Sequence, residues 1–301
     1  MVGEAAGRRI YGGVVVILDI SIALAVAAVW YGVVWYFRGY RLTPDGKHYT
    51  AMSAGDSAPL PFSLRWFVPF CVGPRPRVWT VVSGVALLAS VGLLTAWLHA
   101  RGIEPAWFGG VLFVGLSGVF WYNVAWPVLV DQVATASVIG TVLLYDLGFV
   151  WWAVALCVVG AMVKESVPLW AAAAVVSPLL LAGLVAPAVR VLFCSRSDGI
   201  VNSLKQARSR QGPRMVDARL MLLPWGVCLV GLVSGEPAVL LSAALGYALL
   251  LVVNDTVRIY QMAFLPIIAA TVAAVPAEWV VPLAVAHVFN PWRGEYEVSH
   301  G

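Results

Sequence analysis

The sequence predicts an all-α protein: a polytopic transmembrane helix bundle with about nine or ten spans. Three observations predict it. The chain has 301 residues, of which 61% are hydrophobic and 11% charged, with a mean hydropathy of +0.88. A soluble domain carries about 25% charged residues, so this chain holds roughly half the usual charge. Its apolar runs exceed the ~20 residues that cross a bilayer core. They also lack the strict in/out alternation of ~10-residue segments that a β-barrel needs.

The first apolar run, about Gly12 to Phe37, follows Arg8 and Arg9. It is too long for a cleaved signal and lacks a small-residue cleavage pattern, so it reads as a signal anchor. A loop over residues 38–77 follows, opening with the polar "LTPDGKHYTAMSAG". Further on, "PLPFSLRWFVPF" interleaves prolines with Leu, Phe and Trp, which predicts short helices lying at the interface. The second span is about Val78 to Leu98. Residues 107–162 are nearly continuous hydrocarbon, interrupted by "YNVAWPVLVDQ" and "YDLG", and divide into three short spans ending near Val130, Leu144 and Met162. After "VKES" one span runs to about Val189. Residues 190–219 form a polar loop rich in Arg and Lys. Four segments complete the bundle, near Leu220–Val233, Ala238–Val253, Ile259–Val275 and Val280–Phe289. Residues 1–301 thus read as a single integral membrane domain, without repeats of the solenoid or inverted type.

Positive charge sets orientation. Arg8 and Arg9 place the N-terminus in the cytoplasm, the 38–77 loop outside and the 190–219 loop inside. The 38–77 loop is itself basic, with Arg38, Arg41, Lys47, Arg65, Arg75 and Arg77. Dividing residues 107–162 into two long spans would bring both basic loops onto one side. The three-span division is preferred because Asp131 and the Lys164–Glu165 pair then emerge on the side of Asp45.

A net charge of +4, clustered near membrane ends, gives no nucleic-acid signature; anionic lipid accounts for it. Cys71, Cys157, Cys194 and Cys228 form no CxxC pair, so the chain shows no disulfide framework and no zinc site. Phosphate-loop, HExxH and GxSxG patterns are absent from the sequence.

Placing an acid or base at mid-helix costs about 2.5 to 3.5 kcal/mol, so charges within such a chain point to function. Four sets stand out: Asp45, Asp131, Lys164–Glu165 and Asp255–Arg258. Each has an ordinary reading. Asp45, after Thr43-Pro44, suits a helix N-cap. Asp131 suits a loop, Lys164–Glu165 an interfacial turn with a snorkelling lysine, and Asp255–Arg258 a local pair on one helix turn. His48 and Tyr49 share the Asp45 loop, where a solvated histidine is the ordinary reading.

The order of these charges resembles that of the membrane-embedded GT-C glycosyltransferases and their bacterial and phage relatives. The resemblance rests on "TPDGKHY" after the first span, "PFSLRWFVP" in the same loop, "YNVAWPVLVDQVATASVIG", "GAMVKESVPLWAA" and "NDTVRIYQMAFLPII". It covers roughly Arg8 to Ala274 with short motifs. The chain departs from large members in its length and in having no sizeable soluble C-terminal domain. The resemblance implies transfer of a sugar from a polyprenyl-phosphate donor to a glycan, lipid or protein acceptor at the outer face of the cytoplasmic membrane. It implies Asp45 as general base with inversion, Asp131 as a second carboxylate that orients the acceptor or shares a metal, and His48, Tyr49, Arg65, Lys164, Glu165, Asp255 and Arg258 as substrate-binding groups. Some members use a divalent cation and others none; the residues here do not require one. The resemblance puts Asp255 and Arg258 on the catalytic side, whereas the span count puts them inside. Two other function classes share the sparse charges: a transporter or flippase of lipid-linked or small anionic substrates, and a non-catalytic membrane scaffold.

Overall fold

Proline fixes many of the helix starts. Its locked φ and missing N–H are suited to the first turn, where the N–H has no helical partner. Pro44, Pro76, Pro168 and Pro237 each open a helix in this way. A computed structural model describes residues 2–38, 42–59, 61–193, 217, 221–250 and 256–291. Among these residues the structure is all helical, without strands.

Helix α1 (Val2–Arg38) leads to α2 (Pro44–Ser53), a 3₁₀ turn at Phe62–Leu64, and α3 (Phe67–Val72). These short elements occupy the first polar loop, where short helices are expected. Helix α4 (Pro76–Ala100) returns antiparallel to α1. Then α5 (Ala106–Gly115), a π-helical turn (Ser117–Trp121) and α6 (Tyr122–Ala125) lead to the hairpin of α7 (Asp131–Asp146) and α8 (Val150–Val163). Helix α9 (Val167–Val175), a 3₁₀ segment (Pro178–Leu184) and α10 (Val185–Phe193) follow. The last group is a 3₁₀ segment (Leu223–Cys228) with α11 (Leu229–Leu232), α12 (Pro237–Leu249), α13 (Thr256–Gln261), α14 (Phe264–Ala274) and α15 (Val280–Val288).

Helix α4 is the hub, packed on α1, α5 and α7. Leu87, Val91, Leu94, Trp97 and Leu98 are its buried face. The rim of the bundle is apolar instead of charged: Val14, Ile17, Leu18 and Val29 of α1 are exposed. An apolar surface of this kind is unfavourable in water and suits lipid. Exposed aromatic residues sit at both ends, Tyr36 and Phe37 at the end of α1 and Trp151 and Trp152 at the start of α8. Such residues favour the two membrane–water boundaries. Below, the end that holds Arg38, Pro76 and Asp131 is called the upper end, and the end that holds Ala100 and Asp146 the lower end.

Two helical stretches, Gly13–Phe37 and Pro76–Ala100, are long and apolar enough to cross a membrane, at 25 residues each. Two bent pairs, Ala106–Gly115 with Ser117–Ala125 (66°) and Phe264–Ala274 with Ala277–Val288 (114°), qualify if each counts as one span. Among the described residues there are therefore two to four such helices, fewer than the expected nine or ten. Several of the expected apolar segments are broken by residues that interrupt the backbone ladder. The expected single span to Val189 is divided at Val176, Ser177 and Pro178 into α9, a 3₁₀ segment and α10. That break turns the chain back toward the upper end. Arg190 of α10 lies 5.9 Å over the ring of Trp66 in the first loop. The expectation that the 190–219 segment starts on the side opposite the 38–77 loop does not hold for Arg190; residues 194–216 lie outside the described residues.

Candidate active site

The α7–α8 hairpin builds the centre of the site. Two antiparallel helices joined by a tight turn at residues 147–149 place residues equally far from that turn side by side. Asp131, at the first position of α7, and Lys164, just past the end of α8, are such a pair. The Lys164 ammonium donates to Asp131 Oδ1. Both side chains are buried, with exposures of 6% and 5% for Asp131 and Lys164. The acid also gains from its place in the first turn of α7, where the helix dipole favours negative charge.

The second cation comes from far along the chain. Arg258 of α13 donates through Nη1 to Asp131 Oδ2 at 3.4 Å. Its Nη2 is 3.9 Å from Asp45 Oδ2, so one guanidinium bridges the two acids proposed for catalysis. The same guanidinium lies 4.8 Å over the ring of Tyr122, a cation–π contact. Backbone proximity makes this reach short. Gly118 in the π-helical turn packs against the Arg258 main chain, and a Cβ there would fall 2.8 Å from its Cα. Gly118 N–H also donates to Gln261 Oε1 at 2.6 Å, and Gln261 Nε2 donates to the Pro224 carbonyl at 2.8 Å.

Asp45 is placed by α2. The N-cap of that helix is Thr43, whose hydroxyl accepts from Gly46 N–H at 3.0 Å. The reading of Asp45 itself as N-cap is thereby corrected: Asp45 lies one residue past the start of the helix. Gly46 lets α2 rest on the loop before α7, since a Cβ would come within 3.0 Å of the Val128 carbonyl oxygen. The Asp45 side chain is 37% exposed, against 6% for Asp131.

A neighbouring ion pair closes the other flank. Arg65 donates to Glu165 with Nε at 2.8 Å and Nη2 at 2.5 Å, the forked arrangement that guanidinium and carboxylate favour. Its Nη1 donates to the Tyr49 hydroxyl at 3.0 Å. Burial disfavours the Arg65 charge, but Glu165 and Tyr49 outweigh it and hold the guanidinium protonated well above its ordinary range. Burial pushes the Tyr49 phenol far above its usual value. Tyr49 packs edge-on against Phe62 and beside Trp79, and His48 stacks on Phe62 with centroids 4.5 Å apart.

Eight of the nine expected site residues thus sit in one upper-end constellation: Asp45, His48, Tyr49, Arg65, Asp131, Lys164, Glu165 and Arg258. Asp255 lies outside the described residues. Arg258 shares the end of Asp45 and Asp131, so the span count that put it on the opposite side is wrong. The break at residues 176–178 explains the parity error. No protein-family model, curated protein or solved structure matches this chain.

Sequence reading missed the supports: Tyr122, Gly118, Gln261, and Gln132, whose Nε2 donates to the Asn123 and Trp126 carbonyls at 3.3 Å each. Asn123 and Gln132 each keep a buried oxygen without a hydrogen-bond partner. "YNVAWPVLVDQ", with amides among aromatics before Asp131, was the available signal. An open cleft of about 360 Å³ lies elsewhere, lined by Arg101, Asp146, Val176 and Glu236 among others. It opens at the Asp146 end of α7, about 22 Å along that helix from Asp131. It is a separate feature.

Chemically the constellation holds three carboxylates and three cations: Asp45 is accessible, Asp131 is held by Lys164 and Arg258, and Glu165 is paired with Arg65. Both oxygens of Asp131 are engaged by Lys164 and Arg258, a donor set that fills the place where a metal would share that acid. A carboxylate held in this way orients its partners and is a poor proton acceptor. Asp45 faces the more distant edge of Arg258, at 3.9 Å, and its side chain stays 37% exposed.

Proposed function

We propose that the chain is a membrane-embedded glycosyltransferase that moves a sugar from a polyprenyl-phosphate donor to a hydroxyl acceptor at the upper end of the bundle, outside the cytoplasmic membrane. The observation that carries this reading is the bridging of Asp45 and Asp131 by one Arg258 guanidinium, with Lys164 and Arg65 beside them. The acceptor oxygen bonds to the anomeric carbon as its proton passes to the Asp45 carboxylate. The bond from that carbon to the phosphate oxygen breaks, and its electron pair leaves with the lipid phosphate. Attack opposite the leaving group inverts the anomeric centre, as in inverting glycoside hydrolysis. A positioned base contributes about 10²–10⁴-fold.

The leaving phosphate is already an anion, so it needs cations, not an acid. Arg258 and Lys164, which also hold Asp131, are the groups proposed to meet it, and a guanidinium matches phosphate oxygens with two parallel N–H donors. Arg65 is committed to Glu165 and Tyr49, so its part is to position the loop that carries Asp45. The exposed apolar rim would admit the polyprenyl chain laterally.

A transporter or flippase would carry its charges through mid-depth. Here the described ion pairs lie at the ends of the bundle, around Asp131 at one and around Asp146 and Glu104 at the other. Purified protein incubated with polyprenyl-phosphate sugars and candidate acceptors tests the reading by product mass; lipid movement across proteoliposomes without a new glycosidic bond supports the transporter instead.

A further inference from the structure

The lower end of the bundle holds a second group of ionisable residues that sugar transfer does not use. Asp19 projects from α1, His99 from the last turn of α4, and Glu104 from the turn between α4 and α5. One potential ligand atom from each lies within 4.8 Å of the other two. His99 lies 20 residues beyond Trp79, the upper-end partner of Tyr49, which is about 30 Å along α4. The group is therefore remote from Asp45.

Its chemistry is unusual for a helix junction. Asp19 and Glu104 bring carboxylate oxygens within 4.8 Å of each other. A cation between two such groups relieves their repulsion. Asp19 Oδ2 is buried without a hydrogen-bond partner among the described residues. Asp19 as a whole is 7% exposed. Glu104 is oriented as a ligand would be: Oε2 accepts from Ala106 N–H at 3.0 Å, leaving Oε1 2.5 Å from His99 Nδ1. Holding the second oxygen of a carboxylate in this way is the support that ligating carboxylates receive. The histidine and glutamate side chains are 27% and 45% exposed, so an ion has a path in.

We propose that Asp19, His99 and Glu104 form a binding site for a divalent first-row metal ion of the zinc type, stapling α1 and α4 to the start of α5. One imidazole with two carboxylates is a donor set that such ions accept. In a tetrahedral site, bond lengths of about 2.0–2.2 Å set ligand atoms roughly 3.4 Å apart. The three ligand atoms now lie within 4.8 Å of one another, with His99 Nδ1 and Glu104 Oε1 2.5 Å apart, so metal entry draws Asp19 in and parts the histidine from the glutamate. No cysteine is involved, and positions 19, 99 and 104 share no motif spacing, so no zinc site is legible in the sequence.

The test uses the full chain in detergent, stripped with chelator and dialysed against Zn²⁺, with bound metal counted by elemental mass spectrometry and Co²⁺ absorbance as a geometric reporter. The expected result is one ion per chain, with affinity lowered at least about tenfold in His99→Gln and in Asp19→Asn, and unchanged in Asp45→Asn. Thermal unfolding should shift upward with Zn²⁺ in the unsubstituted chain and not in His99→Gln. No stoichiometric ion in the unsubstituted chain overturns the proposal, as does equal binding in His99→Gln. The histidine is partly exposed at a helix end, so that variant keeps the test decisive if Asp19→Asn does not fold.

Discussion

Lys164 reaches across the α7–α8 hairpin to the carboxylate of Asp131, and the two are buried together at its open end. A buried pair of this kind is weak evidence for stability in itself, but breaking it leaves one charge stranded. Lys164→Met or Asp131→Asn should each cost about 3–5 kcal/mol. The double variant should cost less than the sum, because the stranded charge is gone. Thermal or denaturant unfolding in detergent, arranged as a double-mutant cycle, measures this coupling.

The hairpin also shows how much of the site was legible. Once "YDLG" is read as the turn, residues 131 and 164 are equidistant from it and must meet, so this contact was available from the sequence. The spans of α1 and α4 were likewise readable, because uninterrupted apolar runs have no competing structure. The contact of Arg258 with Asp131 was not: it joins residues 127 apart and depends on which way each broken helix turns. Ser177-Pro178 was the overlooked signal, since proline inside an apolar run removes a ladder hydrogen bond and ends the helix. That one break reverses the parity of everything after it, which is why the span count put Arg258 at the wrong end. Asp45 as N-cap failed for a local reason, the competing hydroxyl of Thr43.

Gly118 tests whether Arg258 must be held where it is. An alanine Cβ would fall 2.8 Å from Arg258 Cα and 2.9 Å from its N, and main chain cannot yield as a side-chain tip can. Gly118→Ala should destabilise by about 1–3 kcal/mol and reduce sugar transfer by more than its loss of folded protein. Unfolding midpoints and initial rates on the folded fraction separate the two effects.

Glu165 gives a pH dependence. Burial would raise its carboxyl pKa, but Arg65 outweighs that and holds it below the ordinary 4.5. A carboxyl depressed on folding stabilises the folded chain above its unfolded pKa, and that contribution is lost as pH falls through the lower folded value. Stability should therefore decline below about pH 4.5, and Glu165→Gln should be less stable at neutral pH with a flatter acid limb. Unfolding midpoints across that range check the sign.

The placement of Arg190 over Trp66 predicts membrane sidedness. Native Cys71 is exposed in α3, at the same end as Trp66. With Cys71 and Cys194 replaced by serine, Arg190→Cys should react with an impermeant thiol reagent from the face that labels Cys71. Glu104→Cys should react from the opposite face only.

The most direct measurement is the mass of the acceptor after incubation with purified protein and a polyprenyl-phosphate sugar, comparing the unsubstituted chain with Asp45→Asn. The account predicts an acceptor heavier by one glycosyl unit, and a loss of about 10²–10⁴-fold in rate for Asp45→Asn with an unchanged unfolding midpoint. An acceptor that gains no sugar from any such donor, or an Asp45→Asn chain that works at the unsubstituted rate, would contradict it.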